Sequence, residues 1–412
     1  PAALPPRLPP DNAALKPRFA TLRWNLAALS GAYFQQHAPI RRQTAPVGHA
    51  VRFAYLETAT AMLGRTGGDE SLLPALEAAW QRMVTRRMYV TGGIGSLPVS
   101  EGFGNDDELD PAYAYAETCA ALGSLFWNWE MAQWTGAPRY SDLFEWQLYN
   151  AAAVGMGLEG DRYFYNNPLA CRGGVTRLAW YAVPCCPSNL SRTWADLGSY
   201  IYSGQAGGLS VHQYISSELD EGALRLSLQS GLPWQGRARI EITAVEGAGL
   251  LRLLLRRPSW AGTMRLRING EGSLPEPEPA AQSEATDTGY DPRGAAFIPV
   301  ERAWQVGDTV EIEFDMPVRL LRAPERVRGH AGRVALACGP LVYCLESIDN
   351  PGVDLFDARL DPASLAPVED PSLLGGIVRI DAKTVAGQPL TFIPYFLWGN
   401  RGPSQMTVWV KE

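Results

Sequence analysis

The chain has 412 residues, 46% of them hydrophobic and 19% charged, and a net charge of −7. That length supports two or three domains with sizeable cores, and the negative balance, with no Lys/Arg run against it, excludes a nucleic-acid partner. No stretch approaches eighteen consecutive apolar residues, so no membrane partner is expected.

Residues 1–16 begin proline-rich and read as linker. From about Phe19 to Tyr202 the apolar spacing is helical. Helices are expected over Ala50–Leu63, Leu72–Met83, Leu122–Trp134 with Gly136 as stop, and Leu143–Val154 after Ser141. Glycine-rich loops separate them, notably Thr91 to Ser96 and Gly102 to Asp110. Gly92-Gly93-Ile94-Gly95 is no dinucleotide fingerprint, because no strand-to-helix unit frames it.

After Gly204 the texture changes to alternation, as in Leu209–Ile215 and Leu224–Leu228. Strands are expected at Ile240–Val245, Leu250–Leu255, Met264–Ile268, Thr309–Phe314, Val318–Leu321, Arg333–Ala337, Leu341–Leu345, Ile377–Ile380 and Met406–Val410. An acidic, proline-rich loop, 271–294, interrupts them. The expected division is a helical unit over 1–203, a β-sandwich over 204–316 completed by 390–412, and a second sandwich over 317–389.

Two short cysteine stretches carry most of the chemical information. Glu117-Thr118-Cys119 and Cys185-Cys186-Pro187 both fall where the hydrophobic pattern starts a helix, with Pro187 placed as a first helical residue. Helix starts expose unpaired N–H groups and a partial positive charge, which favours thiolate. Three cysteines and one carboxylate there could form a tetrahedral zinc site. Residues two apart on a helix point to nearly opposite sides, so Glu117 can join Cys119 only from just outside it. Ordinary buried thiols are the competing reading. Six cysteines are too few for a disulfide scaffold at this length, and thiolates favour a reducing compartment, hence the cytoplasm.

Other candidates are weaker alone. Glu101, between two glycine turns, suits a general acid, against a solvated loop glutamate. His49 opens an apolar helix and could bond a sugar hydroxyl or simply be structural. Tyr165 lines a cleft or belongs to the core. His212 and His330 read as structural. Asp106, Asp107, Glu108 and Asp110 form a charge run, usually a solvated loop, although it could hold a cation or supply an extra acid. Thirteen tryptophans, eight before residue 200, lean towards a carbohydrate ligand.

Taken together, Thr91-Gly92-Gly93-Ile94-Gly95, Glu101, Glu117-x-Cys119, Tyr165-x-Asn167-Pro168-Leu169 and Cys185-Cys186-Pro187-x-Asn189 resemble glycoside hydrolase family 127, the β-L-arabinofuranosidases. The likeness extends to Arg41-x-Gln43, to Val47 through Arg52, to Leu341-Val342-Tyr343-Cys344 and to Pro394-Tyr395 with Asn400 through Pro403, so it covers nearly the whole chain. It implies a multidomain α + β fold, an (α/α)6 catalytic barrel followed by all-β sandwich domains. It implies zinc held by Glu117, Cys119, Cys185 and Cys186, with Cys185 as nucleophile and Glu101 as general acid/base. The positions of His49 and Tyr165 would contact the arabinose ring, and hydrolysis would retain configuration. The expected partners are a small-molecule or oligosaccharide substrate and a second copy of the chain through the β domains.

Only about half of the twelve helices of such a barrel are expected here, so its N-terminal half is missing from this sequence, which predicts an exposed apolar face and little activity for these residues alone. Two other readings stand beside the leading one. One is a two-carboxylate glycosidase using Glu101 with one of Asp106 to Asp110 and a structural zinc; the other is a non-catalytic carbohydrate-binding protein.

Overall fold

The computed structural model describes residues 20–205, 207–222, 224–246, 250–272, 286–327 and 330–412. The proline-rich start and most of the acidic segment, 273–285, lie outside the described residues. Six α-helices are described: α1 (Ala20–Leu29), α2 (Ala50–Gly67), α3 (Leu73–Arg86), α4 (Thr118–Thr135), α5 (Pro138–Gln147) and α6 (Cys185–Ala195). None is long and apolar enough to cross a membrane.

Helix α4 ends where expected, at Gly136, whose φ of 66° is the left-handed conformation that closes a helix on the Ala132 carbonyl. It is buried on nearly every side, with Leu122, Leu125, Trp127 and Met131 inside, and packs along α2. Helix α5 starts earlier than expected, because Pro138 fits the first helical turn. It then loosens into one π turn, Leu148–Ala152. Helix α1 buries none of its residues and exposes Leu22, Trp24, Leu26 and Leu29.

Glu57 on α2 is 1% exposed, and its Oε1 has no hydrogen-bond partner among the described residues. Burial pushes its carboxyl up from 4.5 to about 8. The native fold therefore accepts the protonated form. Below pH 4.5 folded and unfolded chains both hold that proton and no stability is lost. As pH rises towards 8 the unfolded chain ionises and the folded one resists, a loss of roughly 3 kcal/mol by pH 7. Glu57→Gln should therefore raise the melting temperature clearly at pH 8 and only slightly at pH 5 in scanning calorimetry. An equal gain at both pH values would mean that Glu57 ionises freely.

Among the described residues eighteen strands form three sheets. Strands β4 (Ser217–Asp220), β5 (Leu224–Ser230), β6 (Arg237–Val245), β10 (Thr309–Phe314) and β8 (Met264–Ile268) make the first, in that spatial order. Strands β2 (Tyr202–Gln205), β3 (Gly208–Val211), β7 (Leu251–Arg257) and β9 (Ala296–Arg302) make the second. Leu226, Leu228, Ile240, Ile242, Val310 and Ile312 of one meet Val211, Leu253, Leu255, Ile298 and Val300 of the other in a single core. The alternation read from the sequence is the inward face of these two layers. The boundary expected after residue 203 falls inside β2, whose backbone pairs with β3.

The third sheet has nine strands: β1 (Ala170–Cys171), β11 (Val318–Arg322), β12 (Arg333–Cys338), β13 (Leu341–Glu346), β14 (Leu360–Asp370), β15 (Ile377–Thr384), β16 (Pro389–Pro394), β17 (Met406–Thr407) and β18 (Val410–Lys411). Its composition corrects one expectation: residues 390–412 do not complete the middle unit. Strands β16 and β17 pair with β13, and β18 with β12, so their backbone groups are used within this sheet. Met406–Val410 is accordingly two short strands, with Val408 bonding instead to Leu169.

Strands β12 and β13 are buried on both faces. Leu336, Cys338, Leu341, Tyr343 and Leu345 enter the sheet's own core, whereas Ala335, Ala337, Val342 and Cys344 enter the core that contains Phe53, Trp80 and Trp127 of the helices. A period-2 strand flanked by two apolar layers reads as a continuous apolar run, as Leu341–Leu345 does. The side chain of Asn150 locks this contact, donating to the Pro340 carbonyl and accepting from the Val342 N–H, each at 2.7 Å.

Candidate active site and metal centre

Glu117 is the residue just before α4, in extended conformation (φ −62°, ψ 138°), and Cys119 lies in the first turn. This placement is what allows side chains two apart to converge. The strand-like approach to α4 is pinned by the segment carrying Tyr165. Thr118 N–H bonds the Tyr165 carbonyl (3.0 Å), Thr118 Oγ1 the Phe164 carbonyl (3.0 Å), and Asn167 Nδ2 the Ala116 carbonyl (2.9 Å). Asn167 of the Tyr165-x-Asn167 pattern is therefore a clamp on the start of α4.

Helix α6 begins at Cys185 itself, after Pro184, so Pro187 is its third residue and not its first. The ring is tolerated there because the first four N–H groups of a helix have no internal partner. The bend that turns Cys185 and Cys186 towards α4 thus precedes them, at Pro184. The helix also stops at Ala195, and Leu197–Tyr200 forms a separate 3-10 turn.

The four side chains meet. Cys119 Sγ is 3.4 Å from Cys186 Sγ, Cys185 Sγ is 3.9 Å from Cys186 Sγ, and Glu117 Oε1 is 3.5 Å from both Cys185 and Cys186. All four ligand atoms lie within 4.8 Å of one another, and this is a group that could hold a metal ion. Two helix N-termini, of α4 and α6, face it. Tyr115 donates a hydrogen bond to Glu117 Oε2. The residue between them, Ala116, is left-handed, a backbone turn that nothing in the sequence signals.

Three of the four groups are held towards their protonated forms. Burial, then the neighbouring Cys185, pushes the Glu117 carboxyl up to about 8. Hydrogen bonding to Cys185 raises the Cys119 thiol, and burial raises Cys186. Cys185 moves the other way. The thiols of Cys119 and Cys186 stabilise its thiolate against the cost of burial, with smaller help from Glu117 and Tyr165. Four acidic groups in one buried cluster cannot all ionise unless a positive ion sits among them.

Beside the cluster, Glu101 and His49 face each other, with 3.3 Å between Oε2 and Nε2. Their backbones are tied: Ala50 N–H bonds the Glu101 carbonyl and Phe103 N–H the Gly48 carbonyl, both at 2.9 Å. Gly102 makes this approach feasible, since a Cβ there would lie 2.3 Å from the Gly48 oxygen. Glu101 itself adopts φ +50°, which costs a non-glycine residue on the order of 1 kcal/mol. Ala116, just before Glu117, is also left-handed.

Glu101, His49, Tyr165, Glu117, Cys119 and Cys185 line one open cleft of about 550 Å³. Burial, then nearby anions, raises the Tyr165 phenol far above its usual range, so it enters the cleft as a neutral donor. The run from Asp106 to Asp110 is elsewhere, lining a separate pocket with Arg326. Arg82 and Arg87 engage Asp106, Arg86 and Arg326 engage Asp107, and Arg23 engages Glu108. Asp110 accepts the N–H groups of Ala112 and Tyr113. With three of its acids paired to arginines and Asp110 bonded to backbone, the run is not a freely solvated loop, and it lines a pocket other than the cleft of Glu101.

Sequence reading missed the rest of the cleft wall. Asn189, four residues after Cys185, shares its helix face and bonds Tyr55 Oη at 2.7 Å. Tyr55 and Arg192 had no distinguishing signal. His212 is structural as expected, held between Ser141 Oγ and Ser203 Oγ at 2.7 Å each. His330 is likewise buried, against Trp409.

Residues 10–199 match the model of the β-L-arabinofuranosidase GH127 catalytic domain, 208–316 the GH127 middle domain, and 318–411 the glycoside hydrolase family 127 C-terminal domain. The chain is 34% identical over 427 residues to a non-reducing end β-L-arabinofuranosidase of Bifidobacterium longum subsp. longum, covering 92% of this chain and 62% of that protein. It is also similar to the crystal structure of a GH127 β-L-arabinofuranosidase from Geobacillus stearothermophilus T6, with a TM-score of 0.83 and 36% identity over 92% of this chain and 63% of that one. A solved GH127 β-arabinofuranosidase gives 0.81 and 33% over 92% and 62%. The chain thus spans about three fifths of the length of these relatives.

Proposed function

Because this chain belongs to glycoside hydrolase family 127, we propose that it carries the active site of a retaining β-L-arabinofuranosidase that releases terminal arabinofuranose from plant-type glycans with a cysteine nucleophile. We also propose that α1 to α6 are part of an (α/α)6 barrel. The observation that carries the reading is the convergence, in one cleft, of a carboxylic acid, a cleft-exposed sulfur and a four-ligand cluster.

The cluster fits zinc. Around a tetrahedral ion with Zn–S bonds of ~2.3 Å and Zn–O bonds of ~2.0 Å, neighbouring ligands lie about 3.8 Å (S to S) and about 3.5 Å (S to O) apart, against 3.4, 3.9 and 3.5 Å here. Glu117, Cys119, Cys185 and Cys186 would hold it, and bound zinc would keep Cys185 ionised and make its sulfur a better leaving group.

The remaining chemistry belongs to the chain. Cys119 and Cys185 both reach the cleft that holds Glu101, but Cys119 is buried and only Cys185 is half-buried, whereas Cys186 is fully enclosed. Cys185 Sγ would attack the anomeric carbon while Glu101 gives its proton to the departing glycosidic oxygen. The same carboxylate would then take a proton from water, which displaces the sulfur and restores the original configuration. His49 and Tyr165, on the cleft wall, would bond the hydroxyl groups of the furanose ring. The separate, arginine-bound acidic run favours this reading over one with two carboxylates.

The test is release of sugar from a panel of synthetic furanosides, with and without a zinc chelator. Activity confined to β-L-arabinofuranosides, falling at least a hundredfold on chelation and returning with zinc, is expected. Chelator-insensitive hydrolysis would overturn the metal assignment. Zinc-dependent melting with no hydrolysis of any furanoside would favour a binding protein.

A further inference from the structure

The cleft holds two positive charges that the proposed reaction does not use. Cys185, Asn189 and Arg192 lie at i, i+4 and i+7 of α6, so Arg192 continues the stripe that carries the sulfur along the cleft. Arg52 lies in the first turn of α2, one turn before Tyr55 on the same face. The hydroxyl of Tyr55 joins the two helices, since Arg192 Nη2 donates to it at 2.9 Å.

Both guanidinium groups are held in place, yet neither is neutralised. Arg192 stacks 4.7 Å over the Phe126 ring and donates through Nε to Asn189 Oδ1 at 2.6 Å. Arg52, itself exposed, lies to one side of the contacting Tyr33 and Phe34 rings, 5.5 and 5.2 Å from their centroids. Among the described residues neither forms an ion pair with a carboxylate, and Arg52 makes no side-chain hydrogen bond. Glu101 and Glu117 share the cleft, but Glu101 turns to His49 and Glu117 to Tyr115 and the cysteines. The arginines around Asp106, Asp107 and Glu108 behave differently, each pairing with an acid in reach. Among the described residues Arg52 leaves all its N–H groups unbonded and Arg192, with Nε and Nη2 engaged, leaves Nη1, and guanidinium N–H groups are fitting donors to a carboxylate.

We propose that Arg52 and Arg192 form an anion subsite that takes the carboxylate of a uronic acid residue in the leaving-group portion of the substrate. The inference rests on the glycan-hydrolase reading above, because the anion that a plant-type glycan offers next to a scissile sugar is the C6 carboxylate of a uronic acid. Two fixed charges on one wall, about one Debye length or less from a bound anion, attract it in a salt-dependent way.

Binding of D-galacturonate, D-galactose and acetate to the full chain by isothermal titration calorimetry tests it without requiring turnover. Galacturonate should bind at least tenfold more tightly than either galactose or acetate, and more weakly as salt rises. Arg52→Gln, which breaks no hydrogen bond, and Arg192→Gln should each remove most of that preference, with melting temperature reporting that the fold is kept. Equal binding of galacturonate and galactose, or a preference unchanged in Arg52→Gln, overturns the subsite; acetate binding as tightly as galacturonate reduces it to an unspecific anion site and overturns the uronic-acid assignment. The two readings fail separately. Arabinofuranosides cleaved equally with neutral and uronic leaving groups would remove the subsite and keep the hydrolase, whereas an Arg52-dependent uronate preference without hydrolysis would do the reverse.

Discussion

Replacing Cys185 with serine is expected to lower arabinofuranoside turnover on the order of 10⁴-fold or more, with fold and metal content retained. A serine hydroxyl stays protonated where the Cys185 thiolate is stabilised by the thiols around it, and the carboxylate nearest to that position, Glu117 at 3.5 Å, belongs to the ligand cluster and is no free base. Glu117, Cys119 and Cys186 remain as ligands, so zinc measured by mass spectrometry should stay near one per chain, and the circular dichroism spectrum should match the parent. A variant within tenfold of parental activity would rule out the sulfur as nucleophile and return the carboxylates to consideration. Loss of zinc together with activity would show instead that Cys185 is needed to hold the ion, and Cys119→Ser then provides the comparison for a ligand outside the reaction.

The second large effect is on stability. Arg256, at the end of β7, is fully buried and pairs with both Asp142 and Glu145 of α5, at 2.6 Å each. Its Nε donates to the His212 carbonyl at 2.6 Å, Trp260 donates to Glu145 at 2.6 Å, and Tyr290 donates to Asp142 at 2.8 Å. This cluster joins the helices to the middle sheets. Arg256→Met should destabilise the protein by about 3–5 kcal/mol, because two carboxylates are left buried without a counter-charge. Replacing all three by neutral residues of similar size (Arg256→Met, Asp142→Asn, Glu145→Gln) should cost less than the single change, since no charge is then stranded. Denaturant unfolding followed by tryptophan fluorescence compares the two. A triple variant less stable than the single one would mean that the carboxylates stabilise the fold without Arg256, through Ser259, Trp260 and Tyr290, and that stranded charge is not the main cost.

The contrast between these two sites marks how far the residues alone could be read. Glu117-x-Cys119 and Cys185-Cys186-Pro187 were legible because each pair sits within three residues and at a helix start, where local geometry fixes direction. The objection that a helix sends residues two apart to opposite sides also fixed the place of Glu117, just outside α4, where it is found. Arg256 carried no such signal. It follows the apolar run Leu250–Leu255, and its acids are 111 and 114 residues away in the chain. The acidic run erred in the opposite direction: five arginines from α1, α3 and the segment before β12 come to it only in the folded protein.

What the sequence by itself determined is local: which segments are helix and which strand, the helix starts that orient the four side chains of the Glu117–cysteine cluster, and the order of motifs that identifies the family. These follow from the 3.6- and 2-residue periods and from short-range sterics, which need no partner. The tertiary structure alone decided what packs on what. Residues 389–411 join β12 and β13 and leave the middle sheets to others, the cleft wall gains Tyr55 and Arg192, and charges are either neutralised or left bare. Those outcomes depend on surfaces far apart in the chain competing for the same backbone edges and buried space, and no window of sequence contains both competitors.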